Sequence, residues 1–257
     1  MTWLQEKETL ARDILVQLYK NRMIRTFYRD RAEGWTLVSG IYSPLYIQLR
    51  PLASYPEAFR TVSQALARML EEEAPHIRRV IGIAMAGIPL AAGVAITKNI
   101  PAGFTRKMER VTSVEKFRAS IVAYGEHNLV EGELASGDNI ALVDDLVTGF
   151  DSKLVAFEQV RYEAARRGLQ DVHCSTVVVV LDREQGGQDA AHRAGITLHC
   201  LIPFKTFGLH LLRDVMHPKE WDIIAKYLEE PYSFQDQAVQ EELRRLAGKS
   251  ANSSFEP

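Results

Sequence analysis

Asn139-Ile140-Ala141-Leu142-Val143-Asp144-Asp145-Leu146-Val147-Thr148-Gly149-Phe150-Asp151-Ser152 is the stretch that decides the fold. A continuous apolar run such as Ile140 to Val143 is typical of a parallel strand that is buried on both faces. Two carboxylates and a short Thr/Gly turn follow the run, and a helical pattern begins after the turn. Open α/β sheets bind ligands beyond the carboxyl ends of their strands, so the turn predicts a ligand site.

The groups in this stretch suit a phosphorylated sugar. Adjacent carboxylates can accept hydrogen bonds from a vicinal diol. The backbone N–H groups of Thr148 to Ser152, at the amino end of the next helix, can surround a phosphate. A simpler interpretation stays open, in which Asp144 and Asp145 merely end a strand and Asp151 or Ser152 caps a helix.

Strand and helix patterns alternate through the middle of the chain, which predicts an α/β fold with a doubly wound, mostly parallel five-stranded sheet. Right-handed crossovers would gather the loops at one edge of that sheet. The predicted strands are residues 80–84, 103–106, 140–143, 176–181 and 196–201. The predicted helices are residues 8–19, 56–73, 89–97, 153–167 and 188–194.

The same patterns divide the chain into three parts. Residues 1–60 are expected to form an amino-terminal cap, or hood, made of a helix and a β-ribbon over residues 35–49. Residues 61–230 would form the α/β core. Residues 231–257 would form a carboxy-terminal helix followed by a disordered tail, because residues 249–254 are polar and lack apolar anchors.

Composition bounds the function classes. The 257 residues are 46% apolar and 25% charged, which is ordinary for a globular protein, and the net charge of −2 gives no basis for nucleic acid as an obligate partner. No apolar run approaches the roughly 20 residues that span a bilayer, so neither secretion nor a membrane partner is indicated. Cys174 and Cys200 lie in or beside apolar runs and are expected to be buried thiols in a reducing cytoplasm.

The stretch from Val143 onwards resembles the phosphoribosyl diphosphate (PRPP) motif of type I phosphoribosyltransferases. That motif has two acids, two apolar residues, Thr, a small residue, Gly, and then Thr or Ser. The chain departs from it at Phe150, where the family has Gly. A Phe with positive φ would be strained by about 1 kcal/mol or more, unless Gly149 takes that role. The resemblance implies that PRPP binds to Asp144, Asp145, Leu146, Val147, Thr148, Gly149, Phe150, Asp151 and Ser152.

Three further segments, in the same order along the chain, resemble the orotate phosphoribosyltransferases within that family. They are a ribbon at residues 36–50, a glycine-containing loop at residues 82–91 and a strand end at residues 180–187. The resemblance covers most of the chain between residues 10 and 205. It implies that Ala86 and Gly87 face pyrophosphate through their backbone, and that Arg183 and Thr148 contact orotate.

The resemblance also implies an activity. The chain would be a glycosyltransferase, more narrowly a pentosyltransferase, that transfers the phosphoribosyl group of PRPP to orotate in pyrimidine biosynthesis. Arg106 and Lys107 match the family's catalytic basic pair at the start of a mobile loop. Mg²⁺ would be the cofactor, held by Asp144 and Asp145 mostly indirectly, through water or PRPP. A homodimer with shared active sites would be the working form.

The chain departs from the family pattern at three cationic positions. Val122 and Tyr124 stand where the family has a Lys and a His, and the loop that holds them is longer than usual. Val38 stands where orotate enzymes commonly have a Lys. Each departure removes a cation from the surroundings of anionic ligands.

A replacement for the missing loop cation is available in the added stretch. Lys116 is the candidate catalytic residue there, and Arg110 and Arg118 are alternatives. Two other functions stay open because of the departures: a protein that binds PRPP or a nucleotide without catalysis, and a phosphoribosyltransferase for another base.

Overall fold

The computed structural model describes the backbone of residues 2–37, 39–121 and 127–253, with side chains as far as residue 247. Val38, Val122 and Tyr124 lie outside the described residues. The α-helices of the described chain are α1 (Trp3–Lys20), α2 (Pro56–Glu73), α3 (Gly87–Lys98), α4 (Val114–Ile121), α5 (Asp151–Arg166), α6 (Gly187–Arg193), α7 (Leu209–Leu211), α8 (Pro218–Glu229) and α9 (Gln237–Ser253). Shorter helical turns cover Arg50–Ser54, Phe204–Gly208 and Pro231–Gln235.

The strands of the described chain form one large sheet and two small ladders. They are β1 (Ile24–Thr26), β2 (Trp35–Thr36), β3 (Tyr42–Ser43), β4 (Leu45–Ile47), β5 (Arg79–Gly82), β6 (Ala102–Thr105), β7 (Val130–Glu131), β8 (Asn139–Val147), β9 (His173–Asp182) and β10 (Thr197–Pro203). The large sheet has the order β10-β9-β8-β5-β6-β7. Its first five strands are parallel, and β7 runs antiparallel to β6.

The predicted α/β class and the mostly parallel sheet are therefore confirmed, but the count of five strands is wrong. The sixth strand, β7, has only two residues, so it is too short to produce an alternating pattern in the sequence. The ribbon also differs from the prediction. β2 pairs with β3 as expected, whereas β4 pairs with β1 rather than within residues 35–49.

The chain folds into two compact units that are each discontinuous in sequence. Unit 1 comprises residues 1–10 and 53–204, and unit 2 comprises residues 11–52 and 205–257. The stretch from Lys205 to residue 230 thus groups with the amino-terminal ribbon, whereas the sequence predicted that it continues the α/β core. Helix α9 extends to Ser253, past Lys249, where a tail without regular structure was expected.

Unit 1 is built around the strand that the sequence singled out. β8 lies between β5 and β9, and its residues from Ile140 to Val143 are fully buried. Val147 and Phe150, which flank the turn after β8, belong to the same apolar cluster as Leu142 and Val177. The turn is consequently fixed at both ends by side chains in the core.

Unit 2 is organised around a buried carboxylate on α8. The side chain of Glu220 is 1% exposed and accepts hydrogen bonds from the hydroxyl groups of Tyr19, at 3.0 Å, and of Thr26. Burial, and then the charge of Glu220, raise the pKa of Tyr19. These hydrogen bonds stabilise the Glu220 carboxylate, whose burial without partners would destabilise the folded unit.

Both cysteines are free thiols. Cys200 is buried and Cys174 is half-buried, and burial raises the pKa of each thiol to about 12. Neither thiol therefore has an appreciable thiolate fraction at neutral pH. In the described residues, every helix is too short or too polar to cross a membrane.

Candidate active site

The acid pair lies near the carboxyl end of β8, which includes both acids and continues to Val147, beyond the predicted strand end at Val143. Asp144 is 7% exposed, and its Oδ1 accepts a hydrogen bond from the backbone N–H of Asp145 at 2.9 Å. Asp145 is half-buried, and its Oδ1 accepts from the N–H of Leu146 at 2.8 Å. The first acid therefore points into the protein, and the second lies nearer the surface.

Burial, and then the negative charge of Asp144, raise the pKa of Asp145 to about 7. Bonding to the N–H of Leu146 and the charge of Lys153 act in the opposite direction, to a smaller extent. Two neighbouring carboxyl groups in a poorly solvated place resist carrying two negative charges. A diol or a cation at Asp145 would compensate the second charge.

Lys153 was not among the predicted site residues. The residue is 4% exposed, and its Nζ lies 2.8 Å from Oδ2 of Asp144 and 2.8 Å from the carbonyl oxygen of Leu146. A weak sequence signal existed, because Lys153 shares its helix face with Ala156, Val160 and Ala164, which are buried or nearly so. That spacing identifies a buried position but does not indicate which carboxylate the ammonium meets.

The turn after the acids needs no left-handed residue. Phe150 has a φ of −117° and is buried, and Gly149 has no positive φ. The expected strain at Phe150 is therefore absent, and the alternative in which Gly149 adopts positive φ is also wrong. The ring of Phe150 belongs to the same buried apolar cluster as Val147.

Helix α5 begins at Asp151 without a side-chain cap. Phe150 occupies the N-cap position, and no side-chain hydrogen bond caps the helix. The interpretation in which Asp151 or Ser152 caps the helix is consequently wrong. The first N–H groups of a helix have no intrahelical acceptor, so an uncapped amino end favours an anion.

The loop between β5 and α3 lies against the acid pair. A Cβ on Gly82 would come within 2.5 Å of the carbonyl oxygen of Gly87, so β5 and the start of α3 approach more closely than side chains allow. The N–H of Gly87 donates to the carbonyl of Ile83 at 2.9 Å. Gly87 therefore allows α3 to pack closely against β5, and its N–H group is not available to a ligand. Ala86 occupies the N-cap of α3, where no side-chain hydrogen bond caps the helix.

Arg106 and Lys107 follow β6 at the same edge of the sheet, and both are exposed. The backbone of Arg106 is held from two sides: its N–H donates to the carbonyl of Leu129 at 2.9 Å, and its carbonyl accepts from the amide of Gln159 at 2.8 Å. Its guanidinium lies 3.6 Å from Glu131 across the surface. The side chain is thus free to turn toward an anion while its base is fixed.

The added stretch after Lys107 contains α4, which was not predicted. Phe117 of α4 is buried among Met108, Leu129 and Val155. Lys116 is exposed, and its Nζ lies 3.0 Å from the hydroxyl of Thr112. The structure therefore does not bring Lys116 together with the acid pair.

The other two candidates from this stretch are Arg118 and Arg110. The guanidinium of Arg118 lies 3.5 Å from Glu158 of α5, and Arg110 adopts a positive φ of 60° in the turn before α4.

Arg183 lies beside the turn after β8. Its N–H donates to the carbonyl of Val147 at 3.0 Å, and its side chain is half-buried. A Cβ on Gly187 would lie 2.8 Å from Val147 and 3.3 Å from the carbonyl oxygen of Thr148. These contacts place the strand end that carries Arg183 beside the turn that carries Thr148; the binding of orotate by the two side chains stays a prediction.

Asp182, directly before Arg183, adds a buried carboxyl group to this edge. It is 1% exposed and accepts a hydrogen bond from the N–H of Glu184 at 2.7 Å. Burial is the main cause that raises its pKa.

Carboxylate oxygens are the ligands that Mg²⁺ prefers, and the acid pair supplies them. Within the described residues, however, no group of three or more His, Cys, Asp or Glu side chains could hold a metal ion. One oxygen of Asp144 is already bound by Lys153. The residues therefore fit a magnesium ion that completes its coordination with oxygens of a ligand and water.

Comparison with known proteins gives a consistent set of relatives. The chain is 30% identical over 196 residues to an orotate phosphoribosyltransferase of Saccharolobus solfataricus, a match that covers 76% of this chain and 89% of the relative. It is also 30% identical over 173 residues to the uridine 5'-monophosphate synthase of Bos taurus. That match covers 67% of this chain, which spans only 32% of the bovine protein's length.

The fold has solved counterparts. The crystal structure of orotate phosphoribosyltransferase from Aeropyrum pernix matches with a TM-score of 0.59 and 24% identity, over 79% of this chain and 97% of the other. At this identity the match shows a shared fold. No protein-family model matches the chain.

Proposed function

The chain belongs to the orotate phosphoribosyltransferases of the type I phosphoribosyltransferase family, and we propose that it transfers the phosphoribosyl group of PRPP to orotate. The products would be orotidine monophosphate and pyrophosphate. In this reaction the bond between the anomeric carbon and the pyrophosphate oxygen breaks, and a bond to a ring nitrogen of orotate forms.

The observation that carries this proposal is the sequence of groups at the end of β8. Asp145 presents a partly exposed carboxyl group, and the uncapped amino end of α5 begins six residues later, at Asp151. A carboxylate can accept hydrogen bonds from the ribose hydroxyls, while helix N–H groups bind the 5'-phosphate. One turn would thus hold both ends of the ribose phosphate.

The departing pyrophosphate requires positive charge. Arg106 and Lys107 lie exposed at the same sheet edge, and the backbone of Ala86 offers a second contact at the start of α3. Arg106 and Lys107 would stabilise the negative charge that develops on the leaving group in the transition state. Magnesium, when bound through the ligand and the acid pair, would supply further charge neutralisation.

Orotate carries a carboxylate and ring carbonyl groups, which match the planar donors of a guanidinium. Arg183 would bind these groups, and Thr148 would add a hydroxyl contact from the turn. Both residues lie beside the phosphate turn, so the base would be held next to the anomeric carbon.

A direct assay tests the proposal. Purified protein is mixed with orotate, PRPP and a magnesium salt, and the absorbance of orotate is followed. We expect an enzyme-dependent decrease that is absent without PRPP and strongly reduced in Asp145→Asn. No decrease over a wide range of protein and substrate concentrations overturns the proposal.

A second function is favoured by the position of Lys116. Its bond to Thr112, together with Val122 and Tyr124 in place of the family's Lys and His, leaves the loop with fewer cations for the leaving group. A PRPP or nucleotide sensor without catalysis would have this property. Calorimetric titration that shows PRPP binding, combined with no turnover of orotate, favours the sensor. Turnover of uracil or a purine in place of orotate favours an enzyme for another base.

Three further properties belong to the same proposal. We expect Mg²⁺ dependence, a homodimer with shared active sites and a cytoplasmic location. The two free thiols support the cytoplasmic location.

A further inference from the structure

The buried lysine of α5 has no role in the proposal above. Lys153 is the third residue of the helix, where the positive end of the helix dipole disfavours a cation. Its side chain is also almost fully buried, and desolvation of an ammonium opposes folding. An apolar residue would suit both features better, so fold stability alone does not explain a lysine at this position.

The contacts of Lys153 connect two parts of the site. Its Nζ binds Oδ2 of Asp144 and the carbonyl of Leu146, both at 2.8 Å and both in the last residues of β8. Its own backbone belongs to the first turn of α5. One ammonium thus ties the last residues of β8, directly before the turn, to the helix whose amino end would receive the phosphate.

These contacts also separate the two acids. Asp144 has one oxygen bound by the ammonium and the other by the N–H of Asp145. Asp145 has a single backbone hydrogen bond to its Oδ1 and is the more exposed of the two. With Asp144 fixed in this way, Asp145 is the acid that faces a ligand.

We propose that Lys153 is a positioning residue for PRPP: it ties Asp144 and the end of β8 to the first turn of α5, so that Asp145 and the helix N–H groups are held at the spacing of the ribose phosphate. This inference rests on the proposed function, because it takes PRPP as the ligand. Lys153 would act through Asp144 and the end of β8 and would not touch the ligand itself.

A double-mutant cycle on PRPP binding tests this role. Dissociation constants are measured by calorimetry, with magnesium present, for the unaltered protein, Lys153→Met, Asp144→Asn and the double variant. We expect Lys153→Met to weaken binding by about tenfold or more, as removal of a residue that orients a ligand-binding group commonly does. If Lys153 acts through Asp144, the double variant binds PRPP within about twofold of Asp144→Asn, because coupled residues are not additive.

A matched control separates positioning from general destabilisation. Arg79 and Asp138 form another buried ion pair of unit 1, with 2.7 Å between Nε and Oδ2, at the opposite, amino-terminal end of β5 and β8. Arg79→Met also leaves a buried carboxylate without its partner. We expect its melting temperature to fall while its affinity for PRPP stays within about twofold of the unaltered protein.

The outcomes are distinct. No PRPP binding by the unaltered protein overturns the proposed function together with this role. Three outcomes overturn the role of Lys153 alone. They are a normal affinity of Lys153→Met for PRPP, losses of affinity of the single variants that multiply in the double variant, and a loss of affinity in Arg79→Met as large as that in Lys153→Met. If Lys153→Met does not fold, the double variant, which has neither charge, is compared with Asp144→Asn. Equal affinities for PRPP support the role of Lys153. A much lower affinity of the double variant overturns it.

Discussion

A side-chain carbon placed on Gly87 would lie 2.0 Å from the carbonyl oxygen of Val143. Val143 immediately precedes the acid pair, so the amino end of α3 touches the backbone of β8 where the candidate site begins. The carbonyl oxygen of Val143 belongs to the backbone and cannot rotate away as a side chain could. Any side chain at position 87 must therefore displace α3 from β8.

Gly87→Ala is therefore expected to lower both stability and ligand affinity. Overpacking of this kind costs typically 1–3 kcal/mol, on the order of a fifth of a domain's stability. Thermal unfolding and PRPP calorimetry would measure the two effects. Gly149→Ala serves as the stability control, because a Cβ there would meet open space and its φ is not positive. An unchanged melting temperature in Gly87→Ala would contradict the close approach.

Arg106→Ala is expected to reduce turnover with little change in stability. The side chain of Arg106 is 43% exposed and its pair with Glu131 spans 3.6 Å, and surface pairs of this kind contribute at most about 1 kcal/mol. Loss of a charge that stabilises the transition state costs roughly 100-fold or more in kcat. Steady-state kinetics and thermal unfolding would test this, with Glu131→Gln as the control for the ion pair. Turnover equal to that of the unaltered protein would remove Arg106 from the site.

The raised pKa of Asp145 predicts a pH-dependent stability. A carboxyl group whose pKa is about 7 in the folded protein and near 4 when unfolded binds its proton more tightly in the folded state. The contribution of Asp145 to the stability of the folded protein is complete below pH about 4 and is lost as the pH rises to about 7. The melting temperature of Asp145→Asn, relative to that of the unliganded unaltered protein, should therefore increase across this range and level off above it. Asp189→Asn, which removes an exposed acid on α6, serves as the control variant.

Phe117→Ala is expected to release the added stretch from α5. Phe117 is 2% exposed and packs on Met108, Leu129 and Val155, so its truncation leaves α4 without its apolar anchor. Trypsin should then cleave faster after Lys116 and Arg118, while unit 1 as a whole stays folded. Cleavage followed by mass spectrometry would measure this, with the exposed Ile96→Ala as the control. Equal cleavage rates would show that Phe117 does not hold α4.

Much of unit 1 was predictable because its elements have strong periodic signals. The apolar run from Ile140 to Val143 identified β8, and the spacing of apolar residues with Pro56 at the first turn gave the bounds of α2 correctly. The position of Arg183 beside Val147, at the end of β8, also followed, because parallel strands bring their carboxyl ends to one edge. These features depend on local pattern and on the handedness of crossovers.

The features that were missed depend on tertiary contacts. Lys153 reads as a solvated helix residue until its partner Asp144 is placed beside it. Phe150 was expected to strain a turn, but its ring enters the core and its backbone is not left-handed. Helix α4 had a usable signal in Val114, Phe117 and Ile121, which the surrounding charges obscured.

The discontinuity of unit 2 has a consequence for how the protein is made. Glu220 finds its hydroxyl partners 201 and 194 residues earlier in the chain, at Tyr19 and Thr26. Those partners leave the ribosome long before Glu220 is synthesised, since a chain emerges from its amino end. Residues 11–52 must therefore wait through translation of the whole α/β sheet before unit 2 can close.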